Sequence, residues 1–299
     1  MSHYLLCEPI KESILTGNSD IDYHLYKSYV TYHKALEQHK HLQMILKEQK
    51  QQVTLLNSKI PSYIPIKEYS NLMFVRDTFI YTKKGLIIGR MKEQVRQMET
   101  ELMEWVLKSM GQTPIYKMEA PEILEGGDFV IYEDISFIAT GTRSNALAVS
   151  KMISYDLFGT DKVAIIHTEQ PDPDMSRIHL DCYFAPFGDQ YCLLWEELIR
   201  CQTPYQRYVA EYIRQPNGMY QKTLEGIPLF EYLINNHFNV IPISSEAQQN
   251  YGCNILELDN GVVLTQEEES SRKIKNSIYE PMDEIHKMYG GIHCVTNTV

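Results

Sequence analysis

The chain has 299 residues, of which 43% are hydrophobic, enough to bury a substantial core as one large domain or two closely joined ones. A signal-peptide-like start, an apolar run of ~18 residues and a CxxC pair are all missing, which excludes a membrane partner, a disulfide scaffold and structural zinc. The net charge of −11 makes nucleic acid an unsuitable partner but tolerates a small cation, so we expect a cytoplasmic protein with reduced thiols.

The first long element is an amphipathic helix. Between Ile21 and about Gln51, apolar residues recur at spacings of three, four and seven, which predicts one continuous helix. Its many Lys, Gln and His residues indicate a solvated outer face. The apolar residues that define this pattern are Leu25, Tyr29, Tyr32, Leu36, Leu42, Ile45 and Leu46.

After this helix, a strand, a polar turn and a second strand recur four times. The hairpins are DTFIYTKKGLIIG (77–89), GDFVIYEDISFIATG (127–141), LDCYFAPFGDQYCLL (180–194) and CNILELDNGVVLT (253–265). Helices are predicted from Met91 to about Ser109, from near Ser144, and from Leu224 to Phe238, with a strand from Val240 to Ile243.

Together with the segment around Tyr4 to Glu8, the chain contains about five mixed β/α units. Similar units in one compact chain suggest radial packing, in which each first strand begins near a common centre. We therefore expect an α/β fold in which residues distant in sequence meet, and residues 1–299 forming a single catalytic domain.

Reactive polar residues stand at or just before these first strands, where a core does not need them. They are Asp77, Glu125 and Asp128 around Gly126-Gly127, His179 and Asp181 on either side of Leu180, and Cys294 after GGIH. If the units converge, carboxylates, an imidazole and a thiol share one pocket.

Such a pocket suits a guanidinium group. This planar cation is rich in donors, so two carboxylates can hold its edges by charge-assisted hydrogen bonds. Water attacks its resonance-stabilised carbon poorly, whereas a thiolate is strongly nucleophilic and an imidazole can pass a proton to the departing amine. This chemistry needs no metal or organic cofactor, and its partner is a small cationic guanidino substrate.

Four motifs in order and spacing resemble the guanidino-group-modifying superfamily of arginine deiminases, agmatine deiminases, dimethylarginine hydrolases and amidinotransferases. They are NLMFVRD (71–77), LEGGDFV (124–130), HLD (179–181) and GGIHC (290–294). The resemblance runs from about residue 65 to the end and implies a five-bladed β/α propeller, the pentein fold. It implies Cys294 as nucleophile, His179 as general acid and base, Glu125 as the partner of His179, and Asp77 with Asp181 as the guanidinium ligands.

The pattern is most similar to arginine deiminases. That resemblance implies Asn71, Phe74, Arg96 and Arg143 as substrate-binding residues, and two arginines would select an amino acid over agmatine. The chain departs from the family where deiminases usually carry a further Arg before the nucleophile, since Lys287 and Tyr289 stand there. The long helical insertion of larger arginine deiminases also has no counterpart.

We therefore expect hydrolysis of L-arginine to citrulline and ammonia. The alternatives are an amidinotransferase that passes the amidino group to an amine, a dimethylarginine hydrolase, and a non-catalytic arginine-binding protein. The sequence is compatible with a homodimer but does not determine the oligomeric state. The remaining cysteines are expected to be small buried hydrophobes, namely Cys7, Cys182, Cys192, Cys201 and Cys253.

Overall fold

The computed structural model describes residues 2–14, 20–170, 172–201 and 204–299, which form a mixed α/β fold. Their strands are β1 (His3–Leu6), β2 (Gln52–Leu55), β3 (Phe79–Thr82), β4 (Gly85–Ile88), β5 (Tyr116–Lys117), β6 (Phe129–Tyr132), β7 (Ile135–Thr140), β8 (Lys162–Thr168), β9 (Phe184–Phe187), β10 (Tyr191–Trp195), β11 (Arg207–Arg214), β12 (Tyr220–Pro228), β13 (Asn239–Ile243), β14 (Leu256–Glu257), β15 (Val263–Thr265), β16 (Ser277–Tyr279) and β17 (Thr296–Thr298). Their α-helices are α1 (Tyr32–Glu48), α2 (Gln97–Ser109), α3 (Ala146–Ser154), α4 (Glu196–Arg200), α5 (Leu229–Asn235), α6 (Ser245–Gln249) and α7 (Glu268–Lys273).

Within these ranges the strands form five sheets that share one plan. Each contains an antiparallel pair whose second strand also pairs in parallel with a third strand, and at least one helix precedes that third strand. The strand orders are β17-β1-β2, β3-β4-β5, β6-β7-β8-β11-β12, β9-β10-β13 and β14-β15-β16. The first sheet joins the two chain ends, because β1 pairs antiparallel with β17 and parallel with β2.

The four predicted hairpins are confirmed as β3-β4, β6-β7, β9-β10 and β14-β15. The predicted repeat missed β8 and the long β11-β12 pair, which extend one sheet to five strands. β8 pairs only with strands distant from it in sequence, so no single stretch carries its signal. β11 and β12 form a local hairpin, and the end of β12 was predicted as helix.

The first helix is shorter than predicted, because α1 begins at Tyr32 and not at Ile21. Upstream, Leu25 has a φ of 61°, in the left-handed region that a helix cannot contain. The backbone N–H groups of Lys27 and Ser28 donate to the carbonyl of Lys287, at 2.7 and 3.3 Å. Tertiary hydrogen bonds therefore replace helical ones, and they tie this segment to the C-terminal region.

The second helix was also predicted to begin too early, since α2 begins at Gln97 and not at Met91. The backbone N–H of Lys92 donates to Glu125 Oε1 at 2.8 Å. This contact holds the chain before α2 against the segment that carries Glu125. Arg96 ends a short 3-10 turn at the entrance to α2.

The helix predicted from Leu224 to Phe238 was wrong over its first part. Residues up to Pro228 belong to β12, and α5 begins only at Leu229. Pro228 has no N–H and occupies the N-cap position, where it ends the strand instead of interrupting a helix. The predicted strand from Val240 to Ile243 is confirmed within β13.

Two predictions about burial were also wrong. His39 and Gln43, assigned to the solvated face of the first helix, are buried and hydrogen-bonded to each other at 3.0 Å. Cys201 is exposed, whereas the other five cysteines are buried, and all six are free thiols. In the described part of the chain, no helix has both the length and the apolar character needed to cross a bilayer.

Candidate active site

The shared plan of the sheets places acidic residues at equivalent positions. Asp77, Asp128 and Asp181 each lie in a short 3-10 turn immediately before the first strand of a hairpin. These turns come together at Gly127, where an added Cβ would lie 2.8 Å from His179 and 3.0 Å from Asp77 Oδ1. Only glycine fits there, so the double glycine lets the first three hairpins approach one another.

His179 lies between two carboxylates. Its Nε2 is 2.8 Å from Glu125 Oε2, and its Nδ1 is 3.7 Å from Asp77 Oδ1. Glu125 is fully buried, and its other oxygen accepts the Lys92 N–H. The hydrogen bond to Glu125 thereby fixes the orientation of the imidazole. Asp128 serves the backbone, since it accepts from the N–H groups of Ser144 and Leu180.

These contacts control the charge of His179. Burial on its own lowers the pKa of this imidazole, but the carboxylates of Asp77 and Glu125 outweigh burial and raise the pKa to about 9. At neutral pH the ring therefore carries a proton. A charged imidazole held in a dry site is suited to protonate a leaving amine.

The raised pKa of His179 predicts a pH-dependent stability. An unfolded histidine has a pKa near 6.5, so the protonated ring stabilises the fold fully below that pH, and this contribution is lost as pH rises through about 9. The interval corresponds to about 3 kcal/mol at ~1.4 kcal/mol for each tenfold change in proton affinity. Urea unfolding of the wild type and His179→Gln should give free energies that converge between pH 6.5 and 9. Parallel curves across this range would contradict the assignment.

Cys294 lies two residues before β17, the last strand, and close to Asp181. Its Sγ is 3.9 Å from Asp181 Oδ2 and accepts a hydrogen bond from Asn254 Nδ2 at 3.2 Å. Asp181 Oδ2 also accepts from Nδ1 of His293 at 2.8 Å. Burial and the nearby carboxylates of Asp181 and Asp77 raise the pKa of the Cys294 thiol well above its usual range. At neutral pH this residue is therefore a thiol.

A buried cavity of about 20 Å³ joins the reactive groups. Asp77, His179 and Cys294 line it, and so do all four predicted substrate-binding residues, Asn71, Phe74, Arg96 and Arg143. Leu25, Met175, Ile178, Met288 and Tyr289 complete the lining. A cavity of this size holds about one water molecule, so an amino-acid substrate can enter only after some of these side chains move.

The two arginines predicted to bind substrate differ in how strongly they are paired with carboxylates. Arg96 is buried and already paired, because its Nη1 lies 2.7 Å from Asp77 Oδ2 and its Nη2 lies 2.9 Å from Glu99 Oε2. Arg143 has a weaker partner, with Nη1 3.4 Å from the half-exposed Glu93. Arg143 is therefore the cation more available to an anionic group of a ligand.

The sequence model of the family described as Arginine deiminase matches residues 23–299. The chain belongs to the arginine deiminase family. Membership agrees with the four sequence motifs and confirms the resemblance to guanidino-group-modifying enzymes. Its relatives are hydrolases that act on guanidino groups.

Relatives in the family are distant in sequence. An arginine deiminase from Listeria welshimeri is 24% identical over 249 residues, covering 76% of this chain and 60% of that protein. The chain thus spans about 60% of the length of this relative. A dimethylarginine dimethylaminohydrolase from Pseudomonas aeruginosa is 30% identical over 123 residues, covering 41% of this chain and 46% of that protein.

Solved structures share the fold over the full length of the chain. The N-terminal domain of ArgZ, an arginine dihydrolase from cyanobacteria, bound to substrate, has a TM-score of 0.72 at 17% identity and covers 100% of this chain and 98% of that chain. A dimethylarginine dimethylaminohydrolase from Pseudomonas aeruginosa, complexed with citrulline, has a TM-score of 0.70 at 22% identity, with 100% and 99% covered. This family member therefore has the mixed α/β fold of these enzymes.

Sequence reasoning missed three residues around the reactive groups of this family member, namely Asn254, His293 and Arg76. Asn254 donates to the Cys294 sulfur and accepts the His293 N–H at 2.9 Å. His293 bonds Asp181, and the carbonyl of His293 accepts from Arg76 Nε at 3.3 Å. Asn254 lies just before β14, the first strand of the fourth hairpin. Extending the argument used for the other three hairpins would therefore have found it.

Three potential metal ligands also meet in the site. Ligand atoms of Asp77, Glu125 and His179 lie within 4.8 Å of one another. Both oxygens of Glu125 already accept hydrogen bonds, from the Lys92 N–H and from His179. Both oxygens of Glu125 are therefore already used for contacts within the protein.

Proposed function

We propose that this chain hydrolyses the guanidinium group of L-arginine to citrulline and ammonia through a covalent intermediate on Cys294. The observation that carries the proposal is the meeting of Asp77, His179 and Cys294 at one buried cavity. A thiol, a protonated imidazole and a carboxylate are the groups that guanidinium hydrolysis requires. Membership in the arginine deiminase family supports the same chemistry.

Asp77 supplies the binding group for the guanidinium in this proposal. Its Oδ1 is buried and has no hydrogen-bond partner among the described residues. A buried carboxylate oxygen without a donor is costly, and a guanidinium N–H would satisfy it. Asp181 does not line this cavity, but its Oδ2 lies 3.9 Å from the Cys294 sulfur, so in this proposal it reaches the guanidinium once side chains move to admit the substrate.

Substrate binding would also activate the nucleophile. Before substrate binds, the thiol is protonated because burial and the two carboxylates disfavour its anion. A guanidinium that pairs with Asp77 and Asp181 cancels their negative charge and adds a positive one beside the sulfur. The Asn254 N–H already points at the sulfur and would stabilise the thiolate further.

The reaction then has two balanced steps. In the first, the Cys294 thiol loses its proton to water, the sulfur bonds the guanidinium carbon, and the C–N bond to a terminal nitrogen breaks while His179 gives its proton to that nitrogen, which leaves as ammonia. In the second, a water molecule gives one proton to His179 and its oxygen bonds the same carbon. The C–S bond breaks and the second proton of the water passes to the sulfur, which releases citrulline and restores the thiol.

The architecture proposed for this enzyme is one domain over residues 1–299, a propeller with five β/α blades around the site. The five sheets, which share one strand arrangement, support it. In four of them, the segment just before the first strand carries a residue of the site, namely Asp77, Glu125, His179 or Asn254. The fifth sheet joins β1 and β17, next to Cys294. Small-angle scattering and a crystal structure would test this arrangement.

Dimethylarginine is the second candidate substrate. The relative with 30% local identity is a dimethylarginine dimethylaminohydrolase, and the chain covers 99% of the length of a solved enzyme of that name. Incubation with arginine, dimethylarginine and agmatine, with and without glycine as an amine acceptor, separates the candidates. Ammonia with citrulline supports the proposal, dimethylamine supports the second candidate, ornithine with two ammonia indicates dihydrolysis, and a guanidino product from glycine indicates transfer.

Substrate choice should depend on Arg143. Arginine offers a carboxylate to this weakly paired cation, whereas agmatine leaves Arg143 desolvated without a strong partner. We expect arginine to exceed agmatine in kcat/KM by on the order of a hundredfold, and Arg143→Ala to reduce this ratio mainly by impairing arginine. Equal rates for the two substrates in the wild type would contradict a carboxylate site at Arg143. Lys92→Ala, which removes a more exposed cation nearby, is the control.

A further inference from the structure

A second cavity, of about 220 Å³, reaches the reactive groups from another side. Gly127, Asp181, Ala185, Glu257 and His293 are among its lining residues, and none of its lining residues lines the substrate-side cavity. Glu257 is exposed and marks where this cavity meets bulk solvent. Its volume is about eleven times that of the substrate-side cavity (220 against 20 Å³), so it can hold several water molecules.

His293 lines the second cavity and is partly accessible to solvent. The side chain of His293 is 14% accessible, although it does not line the substrate-side cavity. Its Nδ1 bonds Asp181, while Nε2 has no hydrogen-bond partner among the described residues and is not sealed from solvent. An accessible imidazole nitrogen at the inner end of a polar cavity is a binding point for a water molecule.

The wall between the two cavities is thin and consists of the reactive residues themselves. His293 and Cys294 are adjacent in the chain and line different cavities. Asp181 lines the second cavity, and its Oδ2 is 3.9 Å from the Cys294 sulfur. At Gly127 the wall is bare backbone, because a side chain would collide with His179.

In the proposed reaction, ammonia and water must pass in and out of the site while the substrate side is blocked. Between the two steps ammonia must leave and a water molecule must arrive, while the covalently bound substrate fills the substrate-side cavity as widened by the side-chain movements that admit it. The residues that close that cavity must also stay closed to exclude bulk water. Both small molecules are uncharged as ammonia and water, so a narrow polar path suffices for them.

We propose that the second cavity is the path by which ammonia leaves and the hydrolytic water enters, with His293 as the residue that positions the water at its inner end. This inference rests on the proposed covalent mechanism. The path is needed once the bond between sulfur and carbon has formed, because ammonia must then leave. Water that enters by the path breaks this bond and completes the cycle. No other reactant is required.

The test blocks the path far from the reactive groups. Ala185→Phe places a large side chain in the second cavity, and Ala210→Phe is the matched control, since Ala210 is also a buried strand alanine that lines a different cavity. We expect Ala185→Phe to lower kcat at least tenfold and to increase the fraction of enzyme carrying the Cys294 adduct, measured by mass spectrometry after acid quench. Ala210→Phe should keep both values within about twofold of the wild type.

A second variant covers the case in which Ala185→Phe does not fold. Glu257→Trp narrows the exposed mouth, and Glu257→Gln removes only the charge while keeping the acceptor for the Gly188 N–H. If Ala185→Phe and Glu257→Trp both fold and both keep the wild-type kcat and adduct level, the proposed path is wrong but the proposed function is not affected. A wild type that forms neither citrulline nor a Cys294 adduct would overturn the proposed function, and this inference with it.

Discussion

Cys294→Ser should lower kcat for arginine by a factor on the order of 10⁴ or more, with the fold retained. Loss of a single covalent nucleophile commonly costs this much. An alcohol in the place of the thiol has a far higher pKa, so the positive charge of the substrate cannot produce the anion that attacks carbon. Serine is also close in size to cysteine, so the packing around this 4% exposed side chain should be preserved.

Citrulline formation, substrate binding by calorimetry and circular dichroism separate loss of chemistry from loss of structure in this variant. Cys182→Ser is the matched control, because its sulfur lies 3.5 Å from the other oxygen of Asp181 and yet lines neither cavity. It should retain activity within about tenfold. An acid-stable adduct on Cys182, or full activity in Cys294→Ser, would remove Cys294 from its assigned role.

Asp77→Asn should reduce kcat/KM for arginine by about 30-fold to several thousandfold, equivalent to about 2 to 5 kcal/mol for a buried charge that loses its partner. The amide cannot bind the guanidinium as an anion. It also leaves Arg96 with one carboxylate in place of two, and it lowers the pKa of His179 by removing the neighbouring carboxylate that raises this pKa most. Binding and proton transfer should therefore both suffer.

Glu99→Gln is the control for the Arg96 part of this effect. Glu99 pairs with the same guanidinium as Asp77 at 2.9 Å but does not line the substrate-side cavity. We expect it to cost stability in urea unfolding and to leave kcat/KM within about tenfold. Equal losses of activity in the two variants would show that Asp77 acts through Arg96, and wild-type kinetics in Asp77→Asn would remove it from the site.

The local chemistry of the site was predictable from the sequence because it follows from position within a repeated unit. Each hairpin carries its own pattern of apolar strands and a polar turn, so the residues before β3, β6 and β9 could be recognised one unit at a time. The order of the motifs predicted one pocket for the carboxylates, His179 and Cys294. Asp77, His179 and Cys294 do line one cavity, whereas Asp181 lines the second cavity and Glu125 lines neither.

Tertiary structure decided which partner each group takes. Sequence reasoning assigned Arg96 to a substrate carboxylate, but the fold also places it 2.7 Å from Asp77. It did not predict the hydrogen bonds from Asn254 to the Cys294 sulfur or from His293 to Asp181, which join segments 40 and 112 residues apart. A hydrogen bond depends on distances of a few tenths of an ångström, which only the packing of all five sheets determines.

The sequence by itself determined the hairpins, the reactive residue types and their order, since these depend on local periodicity and turn chemistry. Only the tertiary structure decided where α1 begins, which arginine remains weakly paired, and that a second cavity ends at His293. The physical reason is that helix boundaries, ion pairs and cavities depend on competition among contacts between distant segments. That competition is settled by the burial and charge of all the groups present together, and no local stretch of sequence contains it.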